Sequence, residues 1–317
     1  MGKKSEKKYI RFVKKILACL ERLKVRKFSS KFSKRLYNNW VLIVLLALRQ
    51  RMDKSYREFC DILDVCTEIL NLLGIVKSPH FSTLQKTAKR LRVSFLEKVM
   101  SGFIFFTMAV HVRLGIDSTG LQPTKASAHY VQVLKKDKKS RRRVKKYIKL
   151  TTLVELGKQI IISQKIRRGP ANDNKDFKPV VKKGKKVLDK GKKKAKSFDA
   201  DKGYDSEENH RTAVEDLNAE DRIKLKYKDV PIHRTKGTYR KKVKRRINRF
   251  RRNYRSKNET TFSTLKRING STIRSTKVSM QNKEVIFKEI AYNAGRLIKT
   301  TLGILKDFYR AVCALSL

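Results

Sequence analysis

Apolar residues in the first third of the chain recur at helical intervals, and those of the middle third alternate. Trp40–Arg51 is strongly apolar, and Ser55–Leu73 carries Phe59, Ile62, Leu63, Cys66, Ile69, Leu70 and Leu73 at helical spacing. Gly74 ends that helix, and Pro79 prevents its early resumption. Ser82 opens the stretch S-T-L-Q, a capping-box pattern with Gln85 that predicts a short basic helix to about Arg92. A longer helix is expected from Phe95 to about Val110, and residues 1–35 are basic and helical in part. At residue 111 the texture changes: HVRLGID, SAHYVQV, KKYIKLTTLVEL and QIIISQKI all alternate as strands do. Beyond a loop at Pro170–Asp176 the pattern predicts a helix over Asp176–Val187 and a short strand over Ser197–Asp201. A helix over Glu207–Leu217 and a strand over Arg222–Val230 follow. Tyr239–Ile268 reads as one long, very basic helix, and Val285–Ala314 as a further helix or pair.

This order of elements is that of an α/β, ribonuclease H-like fold: a mixed sheet flanked by helices, preceded by a helical N-terminal domain. The expected divisions are a basic segment over 1–35, a helical domain over 36–110, and the sheet domain over 111–317. The helices on either side of Gly74 and Pro79 form either a helix-turn-helix, with Thr83–Arg92 in a major groove, or a plain helical bundle.

Charge narrows the partners. The 317 residues hold 80 Lys plus Arg against 28 Asp plus Glu, a formal net charge of +52. Such an excess repels itself in the compact state unless a polyanion is near, and nucleic acid is the obvious one, since phosphate neutralisation releases counterions. Three runs concentrate the charge: Lys135–Lys149, Lys182–Lys196 and Arg234–Arg267. The second reads as a solvated face. The other two interleave Tyr147, Tyr239, Phe250 and Tyr254 among the cations and favour nucleic-acid contact. The start, MGKKSEKKYIRFVKK, lacks the apolar stretch of a signal peptide. Val41–Leu48 and Phe103–Val110 are too short for the ~20 residues that a bilayer span takes. A cytoplasmic, nucleoid-associated protein without membrane contact is therefore expected. Cys19, Cys60, Cys66 and Cys313 form no C-x-x-C pair and the five histidines are scattered, which speaks for reduced thiols and against zinc.

In so basic a chain, acids in apolar settings need explaining. Asp117 ends the apolar stretch VRLGI, Asp201 ends a strand in SFDADKGY, and Glu259 lies in the basic helix around RSKNETTFSTLK. A partly buried carboxylate is costly unless a cation pairs with it. Three carboxylates from separate elements can converge on two divalent ions, and oxygen-only ligands suit Mg2+ or Mn2+. Blander roles exist for two of them: an N-cap or strand-end turn residue at Asp117, an i,i+4 partner of Arg255 at Glu259. Asp199 shares a strand face with Asp201 and is a rival to it. Asp205 is expected to cap the following helix with Glu208, and Asp173 and Asp176 to be loop and helix-start residues. Arg255, Glu259, Phe262 and Lys266 fall on one narrow helix face. Phe262 would anchor that face to the core, while Arg255 and Lys266 would flank the acid where substrate phosphates lie.

These residues resemble the DDE transposases of bacterial and archaeal insertion sequences, in the group that includes insertion sequences four and five. GIDSTGL at Gly115–Leu121 is similar to the family's first-aspartate block. ADKGYDS at Ala200–Ser206 is similar to its D-x-G-Y block, which selects Asp201 over Asp199. Arg255, Glu259 and Lys266 fit its Y-x2-R-x3-E-x6-K signature, and GPANDNKDFKPVV and KEIAYNAGRL look like it too. Arg252 stands where the signature has tyrosine, and Tyr254 is two residues away; both are assigned with Arg255 and Lys266 to DNA contact. The interval from Asp201 to Glu259 has no room for the β-rich insertion of some relatives. The only tryptophan, Trp40, lies far upstream, so a hairpin route has no support.

The resemblance implies a metal-dependent polynucleotidyl transferase with Asp117, Asp201 and Glu259 as its catalytic and metal-holding residues. A metal-activated water nicks double-stranded DNA at the terminal inverted repeats of the element, and the freed 3′-hydroxyl attacks target DNA. It also implies a homodimer in a synaptic complex, since two ends must be held together. The alternatives are a catalytically inactive, transposase-derived DNA-binding protein and a ribonuclease H-like nuclease without strand transfer. A ribosomal-type basic protein gives no reason for three convergent acids.

Overall fold

The computed structural model describes residues 6–28, 31–32, 35–123, 147–227, 229–246 and 255–314, with side chains to residue 298. The chain divides into two compact units. One comprises Met1–Phe103, Leu265–Gly270 and Asn282–Leu317; the other comprises Ile104–Thr264 and Ser271–Gln281. The break between these units that lies nearest the expected 110/111 division is at 103/104. Most of the C-terminal helix groups with the N-terminal helices, because it buries Val285, Ile286, Ile290 and Ala294 as an apolar face of its own.

The helical unit contains α1 (Lys8–Arg22), α2 (Asn39–Met52), α3 (Tyr56–Asp64), α4 (Thr67–Leu73), α5 (Phe81–Arg90) and α6 (Val93–Gly102). α2 is buried all round from Val41 to Arg51, as its unbroken apolar run predicts. The single helix expected over Ser55–Leu73 is two. Ser55 and Glu58 cap the first reciprocally, and the chain breaks at Val65 and Cys66 among the weak helix formers Asp64, Val65 and Thr67. Phe59, Leu63, Ile69, Leu70 and Leu73 still reach the core from the two pieces. Gly74 closes α4 at φ +65°, in the left-handed region. The cap expected at Ser82 is one turn element late: His80 precedes α5, and its ring Nδ1 accepts from the Ser82 amide at 3.4 Å. The helix expected to reach Val110 ends at Gly102 and continues only as a 3-10 turn over Phe103–Phe106.

In the other unit β1 (His111–Pro123), β2 (Ile148–Glu155) and β3 (Ile160–Arg168) form an antiparallel meander. α7 (Asn174–Lys190) leads to β4 (Lys194–Ala200), and α8 (Glu207–Arg211) with a π turn at Thr212–Asp216 leads to β5 (Glu220–Ile223). β4 and β5 run parallel to β1, giving the order β3-β2-β1-β4-β5. A three-strand meander extended by two parallel crossover strands is the ribonuclease H-like sheet. α9 (Thr238–Arg246) and α10 (Arg255–Asn269) follow, then β6 (Thr272–Ile273), which pairs with the end of β1, and α11 (Val278–Ala314). β1 is longer than expected because Ser118–Leu121 continue the ladder with β2. β5 is shorter than the strand expected over Arg222–Val230, as befits an edge strand. The strand expected at SAHYVQV and the middle of the long helix expected over Tyr239–Ile268 lie outside the described residues. Among the described residues no helix is long and apolar enough to cross a membrane.

The two faces of the sheet carry different chemistry. Ile116, its partner Leu153 and the neighbouring Phe198 are buried on the face covered by α7. Phe177 meets Phe198 edge-on at 5.3 Å, and Gly184 lies so close to Leu153 that a Cβ there would come within 2.3 Å. Side chains alternate, so Gly115, Asp117 and Asp199 point to the opposite face.

Candidate active site

Register alone brings the two sequence-selected aspartates side by side. Gly115 pairs with Asp199 and Ile116 with Ala200, so Asp117 and Asp201 are the next residues on adjacent parallel strands. Asp201 keeps an extended backbone, φ −79° and ψ 166°, which preserves the alternation and its shared face with Asp117. Both are half-buried. Asp117 sits within β1 rather than at its end, and its Oδ1 accepts from the Ser118 amide at 2.8 Å.

α10 lies over this face. Gly115 has no side chain, and Asn258 fills the space: a Cβ at Gly115 would come 2.5 Å from Asn258 Nδ2 and 2.8 Å from its Oδ1. Gln159 holds the same turn by donating from Nε2 to the Lys257 carbonyl at 3.0 Å. Glu259 follows Asn258 directly. Its side chain is exposed, while Phe262 is 6% exposed and anchors the helix as expected. Lys266 is half-buried. Arg252 and Tyr254 lie outside the described residues, as does the Arg255 side chain.

Carboxylates are hard donors of the kind Mg2+ or Mn2+ takes, and Asp117, within β1, and Asp201, at the end of β4, supply two from neighbouring strands. Glu259 is not gathered onto them. Among the described residues no three His, Cys, Asp or Glu side chains stand close enough together to hold an ion. The rival Asp199 is 4% exposed, and burial pushes its carboxyl up to about 6 against the opposing pull of Arg222. It sits one step deeper in the sheet than Asp201, opposite Gly115.

Several groups around the aspartates were not legible as a set. Asp173, expected as a loop residue, accepts from Ser118 Oγ at 2.8 Å and pairs with Lys149 at 2.5 Å. Asp176 opens α7 as expected but is fully buried, ion-paired with Arg167 and within 3.7 Å of Lys149. Tyr204 of the D-x-G-Y block is buried, and burial with the nearby carboxylates of Asp173 and Asp117 raises its pKa. The first and second blocks therefore meet at one place, around Asp117, Ser118, Asp173 and Tyr204. Spacing offered no signal for Lys149, a charged residue inside an apolar strand.

Asp205 does not cap α8. Ser206 does, accepting from the Asn209 amide at 3.3 Å. Asp205 is instead buried with His210 and Asp221, and the half-buried Arg240 joins them. His210 Nε2 lies 3.1 Å from Asp205 Oδ1, and its Nδ1 lies 2.6 Å from Asp221 Oδ2. Arg240 reaches both Asp205 oxygens, at 2.8 and 2.9 Å. Burial raises the Asp205 carboxyl, but hydrogen bonds from His210, the Lys226 amide and Arg240 outweigh it and hold the group at about 2. Burial lowers the His210 imidazole, and the two carboxylates overcome this and lift it to about 9.

A family model described as the transposase DDE domain matches residues 110–294, more than half of the chain. The chain belongs to the DDE transposase-domain family. The match runs from the start of β1 into α11, so both aspartates, Glu259 and the Asp205 cluster all lie in the transposase domain. No curated protein sequence matches the chain. Among solved structures, the chain is similar to a piggyBac transposase seen by cryo-electron microscopy in a synaptic complex with hairpin DNA. That likeness has 11% identity and a TM-score of 0.38, over 92% of this chain and 73% of that chain; it is too distant to support an argument.

Proposed function

We propose that this member of the transposase family cuts DNA at the ends of an insertion sequence and joins those ends to target DNA, with Asp117, Asp201 and Glu259 holding divalent metal. The single observation that carries the proposal is the register of β1 on β4, which sets Asp117 beside Asp201 on the face that α10 covers. Two Mg2+ or Mn2+ ions bound there would stabilise the attacking and leaving oxygens of an in-line displacement at phosphorus.

The chain's own residues have distinct tasks in this scheme. Asp117 and Asp201 present carboxylate oxygens from adjacent strands of the sheet. Glu259, exposed on α10 beside the Asn258 turn that Gln159 holds, would have to move onto the ions to complete the set. Arg255 and Lys266 would grip phosphates along that helix, and Arg252 and Tyr254 are assigned to DNA contact with them. Lys149 neutralises Asp173 and Asp176 beneath the site, so that Asp117 stays free of a further unpaired carboxylate at its back. In the helical unit, α5 exposes Gln85, Lys86, Lys89 and Arg90, a composition suited to reading a major groove after the turn at Gly74. Two copies of the chain acting together would hold two ends.

The test is a plasmid carrying the DNA that flanks this gene, incubated with the full chain. Nicks at inverted repeats that appear only with Mg2+ or Mn2+, and joining of the freed 3′ ends to other DNA, are the expected products. Cleavage without joining favours a nuclease. Tight end-specific binding with neither reaction favours a DNA-binding derivative and overturns the proposal.

A further inference from the structure

The helix α9 is held in an unusual way. Its nine residues, TYRKKVKRR, bury a single apolar side chain, Val243. One valine covers far too little surface to order nine residues. α7 is also lysine-rich, yet it is anchored by Phe177, Val180, Val181 and Leu188. In place of such a stripe, α9 is fastened by charge. Glu207 caps its first turn, accepting from the Tyr239 amide at 2.7 Å and the Arg240 amide at 3.2 Å. Tyr239 reaches Glu215 through its hydroxyl. Arg240 enters the buried cluster of Asp205, His210 and Asp221, in which both ring nitrogens of His210 face a carboxylate.

Buried charge is a poor way to gain stability and a good way to fix geometry, because each partner must sit at hydrogen-bond distance. What this clasp fixes is the outer side of the helix. At ~100° per residue Lys242, Arg245 and Arg246 stand at i, i+3 and i+4 on one flank of the helix, turned away from Arg240. Lys242, Arg245 and Arg246 are exposed. The same helix sits against β5, and Lys242, Arg245 and Arg246 border a groove beside Tyr239, Val214 and Ala219, whose two acids, Glu220 and Asp221, are paired with Arg222 and His210. A row of cations on a helix that is pinned rather than packed suits a long, regular polyanion.

We propose that α9 is a contact surface for the phosphate backbone of duplex DNA, presented by the Asp205–His210–Asp221–Arg240 clasp. The proposal rests on the DNA-binding part of the function above. It goes further in naming a rigid surface separate from the α10 residues. Lys242, Arg245 and Arg246 would each meet a phosphate, and the clasp would keep their spacing matched to the duplex.

The experiment measures binding of the full chain to a random-sequence duplex across a salt series. The triple variant Lys242→Ala, Arg245→Ala, Arg246→Ala is compared with a charge-matched control on α7: Lys182→Ala, Lys185→Ala, Lys186→Ala. Each lost phosphate contact reduces the slope of log K against log salt by about 0.9, so the α9 triple should lower it by roughly 2–3 and weaken binding by about tenfold or more. The α7 control should change the slope little. Asp221→Asn removes no cation, yet it should reproduce much of the α9 loss by loosening the clasp; a thermal melt shows whether the domain is still folded. Equal losses from the α9 and α7 triples overturn the proposal and leave DNA binding in place. Absence of any duplex binding by the unaltered chain overturns the function on which it rests.

Discussion

Replacing Gly115 with alanine tests how α10 is set over the aspartates. The added Cβ would lie 2.5 Å from Asn258 Nδ2 and 2.8 Å from both Asn258 Oδ1 and Leu156 Cδ2. Ordinary carbon contacts need ~3.5–4.0 Å, so the Asn258 side chain and the helix turn carrying it must retreat by about 1 Å. Overpacking of this kind costs roughly 1–3 kcal/mol of stability. The larger effect falls on chemistry, since Glu259 is attached to the residue that moves. A displacement of about 1 Å in a catalytic group lowers the rate on the order of 100-fold. Single-turnover cleavage of end DNA, with duplex affinity and melting temperature measured beside it, is the assay. The expected result is a large loss of rate at nearly unchanged affinity. Gly115→Ala combined with Asn258→Ala should regain part of the lost stability, because the clashing amide is gone. Wild-type cleavage and wild-type melting in Gly115→Ala would refute the packing argument.

Three further outcomes follow from the buried charges and the overall balance. The His210 imidazole is raised from the ordinary 6.5 to about 9. Its contribution to stability is therefore complete below about pH 6.5 and is lost as pH rises through about 9. Urea midpoints taken from pH 6.5 to 10 should fall more steeply for the wild type than for His210→Gln; parallel curves would contradict this. Asp176→Asn removes the charge that pairs with Arg167 and Lys149 and should destabilise the sheet unit by on the order of 3 kcal/mol, read as a lower melting temperature. With a net charge of +52, affinity for any duplex should fall steeply between about 50 and 200 mM salt; a flat plot would remove the case for extensive phosphate contact.

β2, the first half of β3 and α2 were readable because each is buried on all sides and so carries an apolar run. The first two acids were readable because they end or interrupt apolar strands, where a carboxylate has no structural reason to be. Boundaries were less legible. Across the break between α3 and α4 Phe59, Leu63, Ile69, Leu70 and Leu73 all stay buried, so the hydrophobic pattern shows no gap. The clasp around His210 was invisible for a different reason. Asp205, His210, Asp221 and Arg240 come from separate elements, and only the packing of α9 on β5 and α8 unites them. Asp205 looked like a cap because Ser206, the true cap, is its neighbour. Gly115 carried no signal either: the need for a residue without a side chain exists only once Asn258 lies across it.

The central claim is that Asp117 and Asp201 hold the metal that cuts DNA, and exchanging each for cysteine tests it most directly. Sulfur is a poor ligand for Mg2+ and a better one for softer ions such as Mn2+. Cleavage of end DNA by Asp117→Cys and Asp201→Cys is measured with each metal in turn against the unaltered chain. The expected result is cleavage by the unaltered chain with both metals, and by the cysteine variants with Mn2+ alone. Cysteine variants that cut with Mg2+ as fast as the unaltered chain would contradict the claim.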